Sequence, residues 1–254
     1  MPIALIQNYQ NNGSVISWLW FEACFMHSFS LSGGALNGQR DSSVASFQVS
    51  HGPRLQRLHR RLAEAHPEAE AMGFLHQFLD GRATPRQIAG LIRGLAPGYR
   101  LLEALAPPIA KAFGSTAIPW PALMRSDALD HDLFCFPGSL HTPPSGVSKE
   151  WQRRIRMLAA QHPHCLLAHV YVRYGGDLLD GQGLGPYVNL SLQAAAYEPL
   201  LFWDFPYSVS LLREQFHAGF EQLQLTEQQD DEFLDEAVNA CHLNQSLLVE
   251  LSSF

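Results

Sequence analysis

The stretch from Leu166 to Gln182, LLAHVYVRYGGDLLDGQ, decides the fold class. Its first half has the spacing of an amphipathic helix, because Leu167, Val170 and Tyr174 recur three or four residues apart. Asp177 follows Val170 by seven residues, so a continuous helix places it on the same apolar face. A carboxylate on that face costs free energy unless it is hydrogen-bonded, which makes Asp177 a candidate functional residue.

Glycines crowd the second half of this stretch, at Gly175, Gly176, Gly181 and Gly183. Each one costs up to about 1 kcal/mol in a helix interior. Their density indicates a helix that bends or lets a flat ligand approach its backbone. Alternatively, the glycines end the helix and Asp177 caps the next one. A phosphate-binding loop at Gly181–Gly185 is disfavoured, because that motif follows a strand and precedes a helix, whereas Pro186 comes next here.

The chain from about residue 52 onward also has helical spacing. A first apolar stripe recurs every three or four residues, at Leu55, Leu58, Leu62, Ala65 and Ala69. Capping boxes predict further helix starts at Thr84, paired with Gln87, and at Thr226, paired with Gln229. No stretch of useful length alternates apolar and polar residues as a half-buried strand does. The sequence therefore predicts an all-α fold.

The middle of the chain is less regular. Residues 115–148 are rich in Pro, Gly and Ser and predict short helices and loops. Further helices are expected from about Glu150 to Ala160 and from about His164. His162 and His164 have the spacing of two zinc ligands, but no third ligand is evident in the sequence, so both are read as ordinary surface or core residues, as is His169.

Composition limits the class of protein. A length of 254 residues suits one domain, and a net charge of −7 argues against nucleic acid as the main partner. The four cysteines form no CxxC pair, as expected of reduced thiols in the cytosol. No apolar run reaches the roughly 18 residues of a membrane span. We expect a soluble, cytoplasmic monomer without a membrane anchor.

The first fifty residues differ from the rest. They mix aromatic residues with Gly, Ser and Asn and have no sustained helical period, around Trp18, Trp20, Phe21 and Phe25. We expect residues 1–50 to be a poorly ordered extension and residues 51–254 to be one helical domain. An amphipathic segment that docks on this domain or on a partner is the alternative.

The stretch His169–Gln182 resembles the distal-helix signature of the haem oxygenases, in which an Arg-Tyr pair leads into Gly-Asp-Leu and a glycine-rich end. His66–Glu70, followed by Phe74, Phe78, Gly81 and Thr84, is similar to the proximal segment of that family. Later segments also resemble the family, at Leu123–Leu133, Phe202–Pro206 and Glu236–Leu251. The resemblance covers roughly residues 55 to 251 in the right order.

The resemblance implies a single-domain helical bundle that holds haem between a proximal helix and a kinked distal helix. His66 would be the iron ligand, with Glu70 orienting its other ring nitrogen. The implied activity is haem cleavage to biliverdin, carbon monoxide and ferrous iron, with haem as both substrate and cofactor. Electrons would come from a separate ferredoxin or flavin-dependent reductase.

The resemblance also implies the residues of a distal pocket. Four of them would hold ordered water above the iron, at Tyr99, Arg173, Asp177 and Asn244. Asp177 would supply protons through that water. Tyr171 matches a pocket tyrosine, and the backbone of Gly176 would lie against the bound ligand.

Two departures from the family pattern stand out. The family usually has Gly-Gly before the glutamine of the distal helix, whereas this chain has Asp180-Gly181. Where relatives commonly carry Lys or Arg for the haem propionates, this chain has His59, Arg213 and His217, and neutral pH leaves histidine only partly charged. These departures keep open a non-catalytic haem sensor or carrier on the same fold. A non-haem metal oxidase is disfavoured, because no suitable set of carboxylate and histidine ligands has helical spacing.

Overall fold

The computed structural model describes residues 52–63, 69–136 and 144–253, and for a few of these only the backbone. Within those ranges it has nine α-helices and no strand, which confirms the all-α prediction. The helices are α1 Pro53–Ala63, α2 Ala69–Leu79, α3 Pro85–Ala112, α4 Trp120–Leu123, α5 Ser126–Cys135, α6 Gly146–Gln161, α7 Pro163–Ala194, α8 Val209–Glu221 and α9 Glu227–Ser252. The extension predicted for residues 1–50 lies outside the described residues.

Local sequence signals explain where several helices begin. Thr84 and Thr226 each form the predicted capping box, in which the threonine hydroxyl accepts a hydrogen bond from the third residue of the helix. The helix expected from about Glu150 begins four residues earlier, because Ser145 accepts a hydrogen bond from the Ser148 amide and caps α6 at Gly146. The region predicted to hold short helices and loops contains α4 and α5.

The core lies where α3, α7 and α9 pack together, with α6 against α3 and α7. Buried aromatic side chains fill it and include Tyr99, Trp151, Tyr174, Phe216 and Phe233. In the described ranges no helix has the length and apolar character needed to cross a bilayer.

A row of ion pairs joins α1 to α9. Arg54 Nε lies 2.5 Å from Asp230 Oδ1, and both side chains are mostly buried. Arg57 also reaches Asp230, while Arg61 reaches Asp235 at the surface. Because exposed pairs contribute at most about 1 kcal/mol, removing one partner of the inner Arg54–Asp230 pair is expected to cost more than breaking the surface pair of Arg61.

Helix α7 is continuous through its glycines, so the interpretation in which they end a helix and Asp177 caps the next one is wrong. Apolar residues on both sides of the glycines, such as Leu178 and Val188, are fully buried, and this packing outweighs the low helix propensity. Gly181–Gly185 also lies within α7, which excludes a phosphate-binding loop there. Gly185 allows a close approach, since an added Cβ would lie 2.9 Å from the Trp203 side chain.

Candidate active site

A buried carboxyl group lies at the centre of the candidate site. Asp177 on α7 accepts a hydrogen bond of 2.5 Å from the Tyr99 hydroxyl on α3. Burial raises the pKa of Asp177 to about 7, although the Tyr99 hydrogen bond and the positive charges of Arg173 and Arg125 oppose that rise. This carboxyl can therefore take up and release a proton near neutral pH.

Arg173 lies one turn before Asp177 on the same helix. Its guanidinium carbon lies 4.3 Å from the centroid of the Trp151 ring, a cation–π contact. Its buried Nε atom has no hydrogen-bond partner within the described residues. An unsatisfied buried donor costs about 1–3 kcal/mol, so this N–H is suited to a ligand or an ordered water.

A chain of hydrogen bonds supports Trp151 from behind. The Trp151 indole Nε1 donates to Nδ1 of His169 at 3.2 Å, and His169 Nε2 lies 2.8 Å from Glu236 Oε1. Because an indole N–H can only donate, His169 is neutral and carries its proton on Nε2. Burial lowers the pKa of His169, which agrees with that neutral form.

Glu236 is the charged end of this series of hydrogen bonds. Although burial alone raises its pKa, hydrogen bonds from His169 and Arg154 lower the pKa of Glu236 to about 2. A fixed negative charge and a fixed tautomer of His169 therefore hold the Trp151 ring under Arg173. No local sequence motif predicts these contacts, since His169 and Glu236 are 67 residues apart.

The connection after α7 forms another wall of the site. Asp132 on α5 accepts hydrogen bonds from the backbone amides of Leu201 and Phe202, at 2.8 and 2.9 Å. Arg125 donates to the Asp204 carbonyl and lies 4.1 Å from the Phe205 ring centroid. These contacts place the Phe202 ring edge-on against Tyr99, with 5.5 Å between centroids.

Glu103 links this wall to α7. One of its oxygens accepts hydrogen bonds from the Tyr174 hydroxyl at 3.0 Å and from the Arg125 and Ser126 amides. Sequence reasoning missed this residue. Glu103 follows Tyr99 by four residues, so a continuous helix places both on one face. An acidic residue on that buried face could have identified Glu103 as a candidate.

A second polar group lies between α1, α7 and α8. His59 Nε2 lies 2.6 Å from the Tyr171 hydroxyl, and the rings of His59 and His217 have centroids 6.4 Å apart. The His217 ring stacks on Tyr171. Arg213 is four residues before His217 and therefore one turn away on α8. The structure thus brings the predicted residues His59, Tyr171 and His217 together.

Comparison with known proteins gives the family. The family model described as Heme oxygenase matches residues 54–250, which is most of the chain. The chain belongs to the haem oxygenase family. The Heme oxygenase of Takifugu rubripes is 29% identical over 196 residues, covering 74% of this chain and 70% of that protein. Heme oxygenase 2 of Synechocystis sp. is 28% identical over 204 residues, covering 77% of this chain and 82% of that protein.

Solved haem oxygenase structures agree with the fold. Heme oxygenase from Leptospira interrogans aligns with a TM-score of 0.69 and 25% identity, covering 78% of this chain and 98% of that one. Heme oxygenase-2 from Synechocystis sp. PCC 6803, in complex with heme and NO, aligns with a TM-score of 0.67 and 26% identity, covering 79% and 85%.

Several residues predicted from the haem oxygenase resemblance are not tested by the structure. His66 lies outside the described residues. For Glu70, Asp180 and Gly181 only the helical backbone is described, so their predicted roles stay predictions. Asn244 is half-buried on α9 and makes no direct hydrogen bond to Asp177 within the described residues, so its predicted role in holding water stays a prediction.

Gly176 marks open space beside the carboxyl site of this haem oxygenase. An added Cβ at Gly176 would meet no atom within 4 Å among the described residues, apart from its own helix backbone. By contrast, a Cβ at Gly98 would lie 1.9 Å from a Trp151 ring carbon. Glycine at position 98 is therefore required by the packing of Trp151, whereas the helix face at Gly176 is not covered by any described residue.

Proposed function

We propose that this protein cleaves haem to biliverdin, carbon monoxide and ferrous iron, using dioxygen and external electrons. The observation that carries the proposal is the buried Asp177 carboxyl, whose pKa burial raises to about 7, bonded to Tyr99 and four residues from Arg173. A protein that only stores or carries haem has no need of a buried group that exchanges protons at neutral pH. Family membership supports the same reaction.

The residues present fit a bound haem. Gly176 leaves a helix face open, and the Nε of Arg173 is a buried donor without a partner in the described ranges. We propose that the imidazole of His66 binds the haem iron and that Glu70 orients this imidazole. His59, His217 and Arg213 would bind the propionates. Bound haem supplies the iron centre at which dioxygen is activated.

The chain's own residues control protons and water. Asp177 holds a proton at its carboxyl oxygens and, because its pKa is near neutrality, releases it to an ordered water. Tyr99 fixes the orientation of that carboxyl through its hydroxyl. Arg173 places a positive charge beside the same water and stabilises negative charge that develops there.

We infer a cytoplasmic monomer that receives electrons from a separate ferredoxin or flavin-dependent reductase. Among the described residues, Cys135, Cys165 and Cys241 form no disulfide, as in proteins of reducing compartments.

The test is a haem titration of the full-length protein without oxygen, followed by ascorbate or a reductase in air. We expect a Soret band that His66→Ala removes and that His76→Ala, a change of another histidine nearby on α2, leaves intact. On adding reductant and oxygen, the band should decay with release of biliverdin and carbon monoxide. A stable Soret band without bilin would favour a haem sensor or carrier, and the absence of any Soret band would refute the haem proposal.

Replacing Gly176 with Ala tests the contact with haem independently of folding. The added methyl meets nothing in the described structure, and Ala is the better helix former by about 1 kcal/mol, so the haem-free protein should be equally or more stable. Haem turnover should nevertheless fall about tenfold or more, because the methyl occupies the open face.

The matched control for that change is Gly73→Ala, since a Cβ at this exposed helical glycine also meets nothing within 4 Å. Thermal unfolding without haem measures the effect on stability, and the initial rate of haem degradation measures the effect on turnover. Unchanged turnover in Gly176→Ala would show that the haem does not lie on this face.

A further inference from the structure

A second cluster of chemically active side chains lies at the start of α7, away from the carboxyl site. One ligand atom each from His164, Cys165 and Glu232 lies within 4.8 Å of the other two. No other group of three such residues is found among the described residues. His164 Nε2 lies 2.8 Å from Glu232 Oε2, and His162 Nδ1 lies 3.8 Å from the same oxygen.

We propose that His162, His164, Cys165 and Glu232 bind a divalent metal ion of the zinc class. Two imidazoles, one thiolate and one carboxylate are the donor types that Zn²⁺ accepts in a tetrahedral site. With metal–ligand bonds of about 2.0–2.3 Å, tetrahedral ligands lie roughly 3.3–3.8 Å apart. The ligand atoms of His164, Cys165 and Glu232, all within 4.8 Å of one another, therefore need only small movements. His162 Nδ1, 3.8 Å from Glu232, would complete the set by a rotation of its exposed side chain.

Two helix ends hold these donors in place. Pro163 begins α7 and fixes the chain between the two histidines, and Glu232 projects from α9. Gln228 Nε2 donates to Glu232 Oε1 at 2.8 Å, which leaves the other carboxylate oxygen to face the histidines. Metal ligands are commonly oriented by such outer contacts.

The cluster is open to solvent and lies far from the carboxyl site at Asp177. His164 and Cys165 are buried, whereas His162 is 52% exposed and Glu232 36% exposed, so an ion can enter from solvent on that side. His164 precedes Asp177 by thirteen residues of one continuous helix, a distance of about 20 Å. Metal binding can therefore be measured on the haem-free protein.

The competing explanation is an ordinary ion pair between His164 and Glu232, with Cys165 a buried core thiol. The two explanations differ in one observable: only the metal site forms a bond to sulfur. Cobalt(II) is a suitable probe, because it takes the place of Zn²⁺ and its bond to a thiolate gives a charge-transfer band in the near ultraviolet.

The experiment adds Co²⁺ to the full-length, haem-free protein after chelator treatment. We expect one equivalent to produce the sulfur band and one equivalent of Zn²⁺ to remove it. Cys165→Ala should abolish the band, whereas Cys135→Ala should retain it. Cys135 is a matched control because it is exposed and its Sγ lies 3.5 Å from His131 Nε2, a two-ligand pair that could bind a metal adventitiously.

A second variant guards against misfolding of the buried cysteine mutant. Glu232→Gln changes a partly exposed carboxylate and should weaken Zn²⁺ binding about tenfold or more in a chelator competition, with an unchanged circular dichroism spectrum. A complex without the sulfur band, a band that depends on Cys135, or a Glu232→Gln variant with unchanged Zn²⁺ affinity would each overturn the proposal.

Discussion

Replacing Asp177 with Asn is expected to lower haem turnover about 100-fold or more while making the haem-free protein more stable at pH 8. Turnover falls because Asn cannot exchange a proton, and positioned proton donors contribute about 10²–10⁴-fold to rates. Asn keeps an oxygen that accepts the Tyr99 hydrogen bond, so the local geometry is retained.

The stability gain follows from the direction of the pKa shift. Burial raises the pKa of Asp177 from 3.8 to about 7, so the folded protein binds this proton more tightly than the unfolded chain. The unfavourable contribution of Asp177 to folding therefore grows as pH rises from about 4 to 7 and is fully present at pH 8. A neutral Asn removes it, a gain on the order of a few kcal/mol.

Urea unfolding of wild type and Asp177→Asn at pH 5 and pH 8 measures this effect. The variant's advantage in the free energy of unfolding should be larger at pH 8. Asp235→Asn is the control, since that carboxylate is 62% exposed in a surface pair with Arg61 and its loss should change stability by less than about 1 kcal/mol. An equal gain at both pH values would contradict a raised pKa.

Replacing Gly98 with Ala is expected to destabilise the protein by about 3 kcal/mol and to lower turnover. The new methyl would lie 1.9 Å from Cζ3 of Trp151, so the indole must move. Because that ring supports the Arg173 guanidinium and donates to His169, its movement disturbs the candidate active site as well as the core. Helix propensity alone predicts that Gly98→Ala stabilises the protein, since Ala is favoured over Gly in a helix.

A double-mutant cycle identifies the cause. Trp151→Leu removes the ring that the methyl meets, so the combined Gly98→Ala/Trp151→Leu variant should be more stable than the sum of the single effects predicts, by about 1 kcal/mol or more. Urea unfolding measures all four proteins. A Gly98→Ala protein as stable as wild type would contradict the predicted clash between the new methyl group and the Trp151 ring.

Features with a local cause could be predicted from the sequence. The capping boxes at Thr84 and Thr226 are formed by residues three positions apart, and the structure confirms both. Asp177 could be recognised because helical periodicity alone places it on a buried face. Its partner Tyr99, 78 residues earlier, was predicted only through the family resemblance.

Features that depend on distant packing could not be predicted. Trp151 had no sequence signal, yet it supports Arg173, and the reading of His169 as an ordinary residue missed its bond to Glu236. The pair His162 and His164 lacked a third ligand in the sequence because Glu232 is 68 residues from His164 along the chain. Helix packing, which spacing alone does not specify, brings these groups together.

The ion pairs between α1 and α9 bear on when the protein can fold during synthesis. Arg54 and Asp230 are 176 residues apart, so most of the chain between them is synthesised before the carboxylate that pairs with Arg54 exists. During synthesis, the apolar face of α1 at Leu55, Leu58 and Leu62 therefore lacks its contacts with α9 until α9 has been made. A nascent chain that ends before α9 is therefore expected to expose part of this apolar face, which favours aggregation.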